Sequence, residues 1–298
     1  MWNFDQEKTK LRIKELNEYY KEHGLNAFGF KCEKKQNCVQ SQKGKTVKQF
    51  HGSTASVTPL YDAVYNNMPI RILFIGKETA YMKKLNNGYG IPENFDANNK
   101  IALKWIDSKK RNSHIEGTRL ILRNIYNVES DYVYSSYALS NLLRCSFQDE
   151  DKRYKASSTR DTKEMRDNCV VHLIEEIKIL KPTIIITQGA WAVSGRRTFI
   201  DILTDRFGKY DLLKKNKNEK YGLYRFGTFY CVTTHHPGRL AVWKKNLAND
   251  SVWPMIDYMR NKEKCLPSEK MSVSAYENSV KRFIDPIIST LKSNDSLR

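Results

Sequence analysis

Side chains capable of hydrolytic chemistry close several apolar runs of this sequence. A carboxylate stands in Gly76-Lys77-Glu78-Thr79, a carboxamide in Ser140-Asn141, and two imidazoles in His235-His236-Pro237, with Gln188-Gly189 between them in chain order. A carboxylate can orient water, a carboxamide presents a donor and an acceptor together, and an imidazole can donate to a departing anion. Each also has an ordinary structural use: Glu78 beside a helix dipole, Asn141 as a strand-end cap, His-His-Pro as a turn. Together, at one edge of a sheet, they would make a hydrolytic site. The chain also has six cysteines. Reduced thiols are candidates for metal ligands or plain core residues.

These residues need strands to hold them. The run RILFI, closed by Gly76, is apolar without alternation, as in a parallel strand buried on both faces. Further strands are predicted at 132–139, 183–187, 221–226 and 228–233. Helices are predicted at 5–23 (with Leu11, Leu16, Tyr19 and Tyr20 on one side), 115–126, 163–180, 191–204 and near 247–262. Residues 79–114 read as a long functional loop with one short helix, and the Cys32–Cys38 region as a polar loop. The tail carries Val273, Tyr276, Val280 and Phe283 at helical spacing, then Asp285-Pro286 as the start of a last short helix. The expected fold is three-layer α/β/α around a central, mainly parallel four-stranded sheet. An N-terminal cysteine-bearing extension (1–69) precedes the α/β domain (70–262), and a helical tail (263–298) follows. In such a sheet ligands bind outside the carboxyl ends of the strands, where all four motifs fall.

The formal charge is +18. So large an excess of Lys and Arg favours a polyanion, with nucleic acid the leading candidate. No run of about 18 apolar residues is present to span a bilayer, and the first ten residues lack an apolar signal segment. A cytoplasmic protein without a membrane partner, and a monomer, is expected.

The order of the motifs resembles the uracil-DNA glycosylase superfamily over roughly residues 70–245. ILFIGKETAY is similar to its first motif, YALSNLLRC to its strand ending in Asn, NCVVHLIEEIKILKPTIIITQGAWA to its Cys-led helix and strand-Gly, and TTHHPGRL to its His-Pro motif. The resemblance implies a glycosylase acting on a flipped-out pyrimidine in DNA. Asn141 would read the base, His236 would donate to its O2, and Glu78 would be the acidic residue of the first motif. The family's other form puts the acid where this chain has Lys77. Gly76, Lys77, Tyr89, Gly189 and His235 would line the base pocket. Ala80 stands where an aromatic residue excludes 5-substituted pyrimidines, so a 5-substituted cytosine is an expected substrate unless Tyr81 or Tyr89 fills the gap. Arg239 and Leu240 would enter the minor groove. Cys32, Cys38, Cys145 and Cys169 stand in the order of the family's iron-sulfur branch, which implies a structural [4Fe-4S] cluster. Their spacing is wider than usual, which leaves zinc or no metal open. The rival readings are a non-catalytic DNA-binding protein of the same fold and an iron-sulfur nuclease.

Overall fold

The computed structural model describes residues 2–25, 31–42, 47–50, 54–77, 113–149, 162–193, 197–216, 221–237 and 252–295. In chain order the strands are β1 Trp2–Phe4, β2 Val47–Phe50, β3 Ser56–Val57, β4 Ala63–Tyr65, β5 Met68–Ile70, β6 Ile72–Gly76, β7 Ala138–Asn141, β8 Ser146–Asp149, β9 Ile184–Gln188, β10 Asp211–Lys215, β11 Gly222–Phe226 and β12 Phe229–Thr234. The helices are α1 Gln6–Glu22, α2 Lys35–Gln40, α3 Ser113–Tyr126, α4 Lys163–Leu180, α5 Phe199–Phe207, α6 Val252–Asn261 and α7 Val273–Asp295.

The fold is mixed α/β, built on a seven-stranded sheet in the order β10-β11-β12-β9-β6-β7-β3. Its four central strands are mutually parallel: β12 beside β9, β9 beside β6, β6 beside β7. The expected sheet of four strands is therefore too small. The hairpin strands β11 and β10 extend it antiparallel on one side and the two-residue β3 on the other.

Each of Ile72, Leu73, Phe74 and Ile75 in β6 is fully buried, as an unalternating apolar run requires. Successive side chains leave opposite faces. Ile72 and Phe74, with Ile184 and Ile186 of β9, join one core cluster with Ile121 and Ile125 of α3, Met255 of α6 and Tyr276 of α7. Leu73, Ile75 and Ile185 join another, with Leu16 and Tyr20 of α1, Leu173 and Ile177 of α4 and Leu203 of α5.

Local chemistry sets the helix ends. The Thr162 hydroxyl accepts from the Met165 amide to open α4, and Lys181 closes it in the left-handed region (φ 48°) just before Pro182. Thr198 and Asp201 form a reciprocal capping box for α5.

Several sequence expectations need correction. Residues 131–135 form a 3₁₀ turn capped by Ser130, whose hydroxyl accepts from the Tyr132 amide, so β7 starts only at Ala138. In place of the helix expected at 191–204, residues Ala190–Ala192 form a short 3₁₀ turn and α5 begins at Phe199. Residues Lys35–Gln40 of the expected cysteine loop are helical. Leu11 lies on the open side of α1, whose buried face is Thr9, Arg12, Leu16 and Tyr20. The tail is one helix running through Pro286 rather than two. No described helix is long and apolar enough to cross a membrane.

Candidate active site

The carboxyl ends of the four parallel strands lie side by side. Asn141, the last residue of β7, is paired with Gly76, the last of β6. A Cβ built on Gly76 would stand 2.5 Å from the Asn141 Oδ1, so the carboxamide leans over the glycine. The chain leaving β7 then folds back on β6: the Leu142 amide donates to the Gly76 carbonyl and the Leu143 amide to the Lys77 carbonyl, both at 2.9 Å. A glycine is needed at position 76 because any side chain would occupy the place of the Asn141 amide.

On the other side of β6, β9 ends in Gln188 and leads into Gly189. Gly189 has φ 126°, a conformation that suits glycine alone. Its amide donates to the Thr234 carbonyl at 2.9 Å, and a Cβ there would meet the Trp191 ring at 3.0 Å and the His236 Cβ at 3.7 Å. The Trp191 indole N–H donates to the Gln188 carbonyl at 3.1 Å. His236 thus sits beside the β9 turn. It is open to solvent on one side, yet the surrounding protein holds its pKa below the ordinary imidazole value. The neutral ring retains one N–H to donate. His235 packs on the Tyr221 ring, with centroids 4.1 Å apart.

Gly76, Lys77, Asn141, Gly189, His235 and His236 are therefore brought to one edge of the sheet. Glu78, Ala80, Tyr89, Arg239 and Leu240 lie outside the described residues.

Beneath this edge is a buried ion pair absent from the sequence reading. Glu176 of α4, fully buried, accepts from the Arg144 guanidinium, from the Tyr20 hydroxyl at 2.5 Å and from the Ser140 hydroxyl at 2.5 Å. Arg144 also donates to the Ser140 Oγ at 3.0 Å. Burial alone would lower the Arg144 pKa; the Glu176 carboxylate outweighs it and holds the guanidinium above its usual value. The sequence did carry a signal. Glu176 falls in register with Cys169, Leu173 and Leu180 on the apolar stripe of α4, where an unpaired carboxylate is very costly.

Cys38, Cys145 and Cys169 belong to the core cluster on the α4 side of the sheet, and the partly buried Cys32 packs against it. The Arg144 amide donates to the Cys169 Sγ at 3.4 Å, and the Asn168 amide group to the Cys38 Sγ at 3.5 Å. Burial raises the thiol pKa values of Cys32 and Cys38, and that of Cys169 to about 11. Four thiols with N–H donors suit sulfur ligation. As they stand, however, no three His, Cys, Asp or Glu side chains among the described residues are grouped closely enough to hold a metal ion.

His172, one turn beyond Cys169, shares a hydrogen bond of 2.7 Å with the Tyr19 hydroxyl. Burial first, then the Arg144 and His23 charges, lowers its pKa from 6.5 to about 4. Folding therefore excludes a proton that the unfolded chain binds below pH 6.5. The His172 contribution to stability is complete above that pH and is lost as pH falls towards 4. After discounting for solvent screening, the expected loss is on the order of 2 kcal/mol. Urea unfolding between pH 7 and pH 4 should show it, and His172→Phe should flatten that part of the slope.

No family model matches the chain, and a comparison with curated proteins finds none similar to it.

Proposed function

We propose that the protein is a monofunctional DNA glycosylase that hydrolyses the N-glycosidic bond of a flipped-out pyrimidine, uracil or a 5-substituted cytosine, and leaves an abasic site. The observation that carries this reading is the Asn141 carboxamide leaning over Gly76 on one side of the sheet edge, with His236 against Gly189 on the other. A three-layer α/β/α domain built from helices on both faces, a +18 charge suited to phosphates and a monomeric state complete the reading.

The chemistry asks little of the protein beyond placement and charge stabilisation. Water adds to the sugar C1′ as the bond to the base nitrogen breaks, and the base departs as an anion that then takes up a proton. Asn141 holds one pyrimidine edge with its donor and acceptor. His236 donates to the base O2 as charge develops there. Glu78 orients the water and stabilises the cationic sugar. Lys77, Tyr89 and His235 line the pocket, Ala80 leaves room beside the base C5, and Arg239 and Leu240 hold the opened duplex. A [4Fe-4S] cluster on Cys32, Cys38, Cys145 and Cys169, or less favourably zinc, would supply only a structural cross-link between α2 and α4.

The test is incubation with oligonucleotides carrying uracil or 5-substituted cytosines, in EDTA, followed by alkali. Strand breaks at the modified base are expected. No break at any base would sink the glycosylase reading, and breaks at uracil alone would sink the role of Ala80. Gly76→Ala should lower turnover about 10- to 100-fold by displacing the Asn141 amide. Its far-UV circular dichroism should match the parent, because the backbone at Gly76 is not in the left-handed region.

A further inference from the structure

The central strand β9 ends in Gln188, a carboxamide that belongs to one of the strand-end motifs but has no role in the mechanism above. It is fully buried. Its Nε2 donates to the Thr118 hydroxyl of α3 at 2.9 Å. Its Oε1 is buried with no hydrogen-bond partner among the described residues. Leaving a buried acceptor unsatisfied costs about 1–3 kcal/mol, and folded proteins leave few such groups.

Its position gives the unpaired oxygen a use. Side chains alternate along a strand, so Gln188 shares a sheet face with Ile184 and Ile186, which join the cluster on the α3 side. By the same alternation Gly76 shares that face with Ile72 and Phe74. Asn141 shares it with Leu139, which packs against the same cluster. Gly76 lies one step beyond the Ile75–Thr187 pair, which brings it level with Gln188, and it is paired with Asn141 on its other side. Two carboxamides therefore flank one glycine on one face of the sheet. Their strands are about 10 Å apart, two inter-strand spacings, with Gly76 on the strand between them. Asn141 already leans across that glycine, towards β9.

We propose that Gln188 is a second base-reading residue, whose Oε1 accepts the exocyclic 4-amino N–H of a cytosine-type base held against Asn141. The inference rests on the glycosylase reading and narrows its substrate class to 4-aminopyrimidines. A 4-oxo base such as uracil places an acceptor opposite the acceptor of Gln188 and leaves both unpaired. A site built around a hydrogen bond rejects the analogue that cannot make it.

The experiment compares matched DNA substrates carrying the same 5-substituent on a 4-amino or a 4-oxo pyrimidine, and reads abasic-site formation under single turnover. The parent should prefer the 4-amino base. Gln188→Met, similar in size and without the amide, should lose about 10- to 100-fold on the 4-amino base with little change on the 4-oxo base. Gln188→Glu, which keeps an acceptor, should retain the 4-amino preference, and it serves should the Met variant fail to fold. Equal losses on both bases, or a loss confined to the 4-oxo base, would overturn the assignment while leaving the glycosylase reading intact. Absence of abasic sites with the parent on every base would instead remove that reading and this one with it.

Discussion

Glu176→Leu is expected to lower the unfolding free energy by about 3–5 kcal/mol. The substitution leaves the Arg144 guanidinium buried without its anion, and takes the acceptor from the Tyr20 and Ser140 hydroxyls as well. The double variant Arg144→Met/Glu176→Leu should recover a large part of the loss, because an apolar pair needs no desolvated charge. Urea unfolding of the parent, both single variants and the double variant forms a cycle that isolates the coupling. Single variants as stable as the parent would mean that the pair contributes nothing. The carboxylate also fixes Ser140, the residue before Asn141, while the Arg144 amide binds the Cys169 sulfur. One ion pair thus ties the strand under the candidate base-reading amide to the helix bearing a candidate cluster ligand.

His236→Ala should reduce single-turnover base release by about 10²- to 10³-fold, as expected for removing one donor to a developing anion. Binding of the DNA should change little, because the bond strengthens only as the base departs. The cavity left is small and open on one side, since His236 is an exposed residue at the lip of the sheet. Thermal unfolding close to that of the parent would separate the chemical effect from a structural one. A variant that releases base as fast as the parent would take His236 out of the chemistry.

Which elements could be read from the sequence follows from where the determining interactions lie. Strand β6 was legible because four consecutive apolar residues before a glycine leave few alternatives. Helix α4 was legible because its cap, its apolar stripe and Pro182 agree. Residues 131–135 were not: Tyr132, Val133 and Tyr134 favour strands, but the Ser130 cap and the buried ring of Tyr134 hold them in a 3₁₀ turn. Pro286 reads as a helix start, yet Ile284 before it is buried in the core and packing carries the helix through. The extra strands β10 and β3 were missed because they are short or polar. At the site, Asn141 and His236 could be picked out as polar residues ending apolar runs. The Asn141–Gly76 approach, the Gln188–Thr118 bond and the Arg144–Glu176 pair join residues distant in sequence, and only the strand order brings them together.

Trp2 donates from its indole nitrogen to the Met271 sulfur at 3.1 Å, across 269 residues of chain, and packs against Tyr276 of α7. During synthesis at about 5–20 residues per second, β1 must therefore wait roughly 15–50 s for the partner that covers it. Until then that side of the core is only partly covered, by α3 and then α6. This part of the core is thus expected to close only after residues 273–295 have emerged, with the interval before α7 arrives as the period of greatest exposure to aggregation.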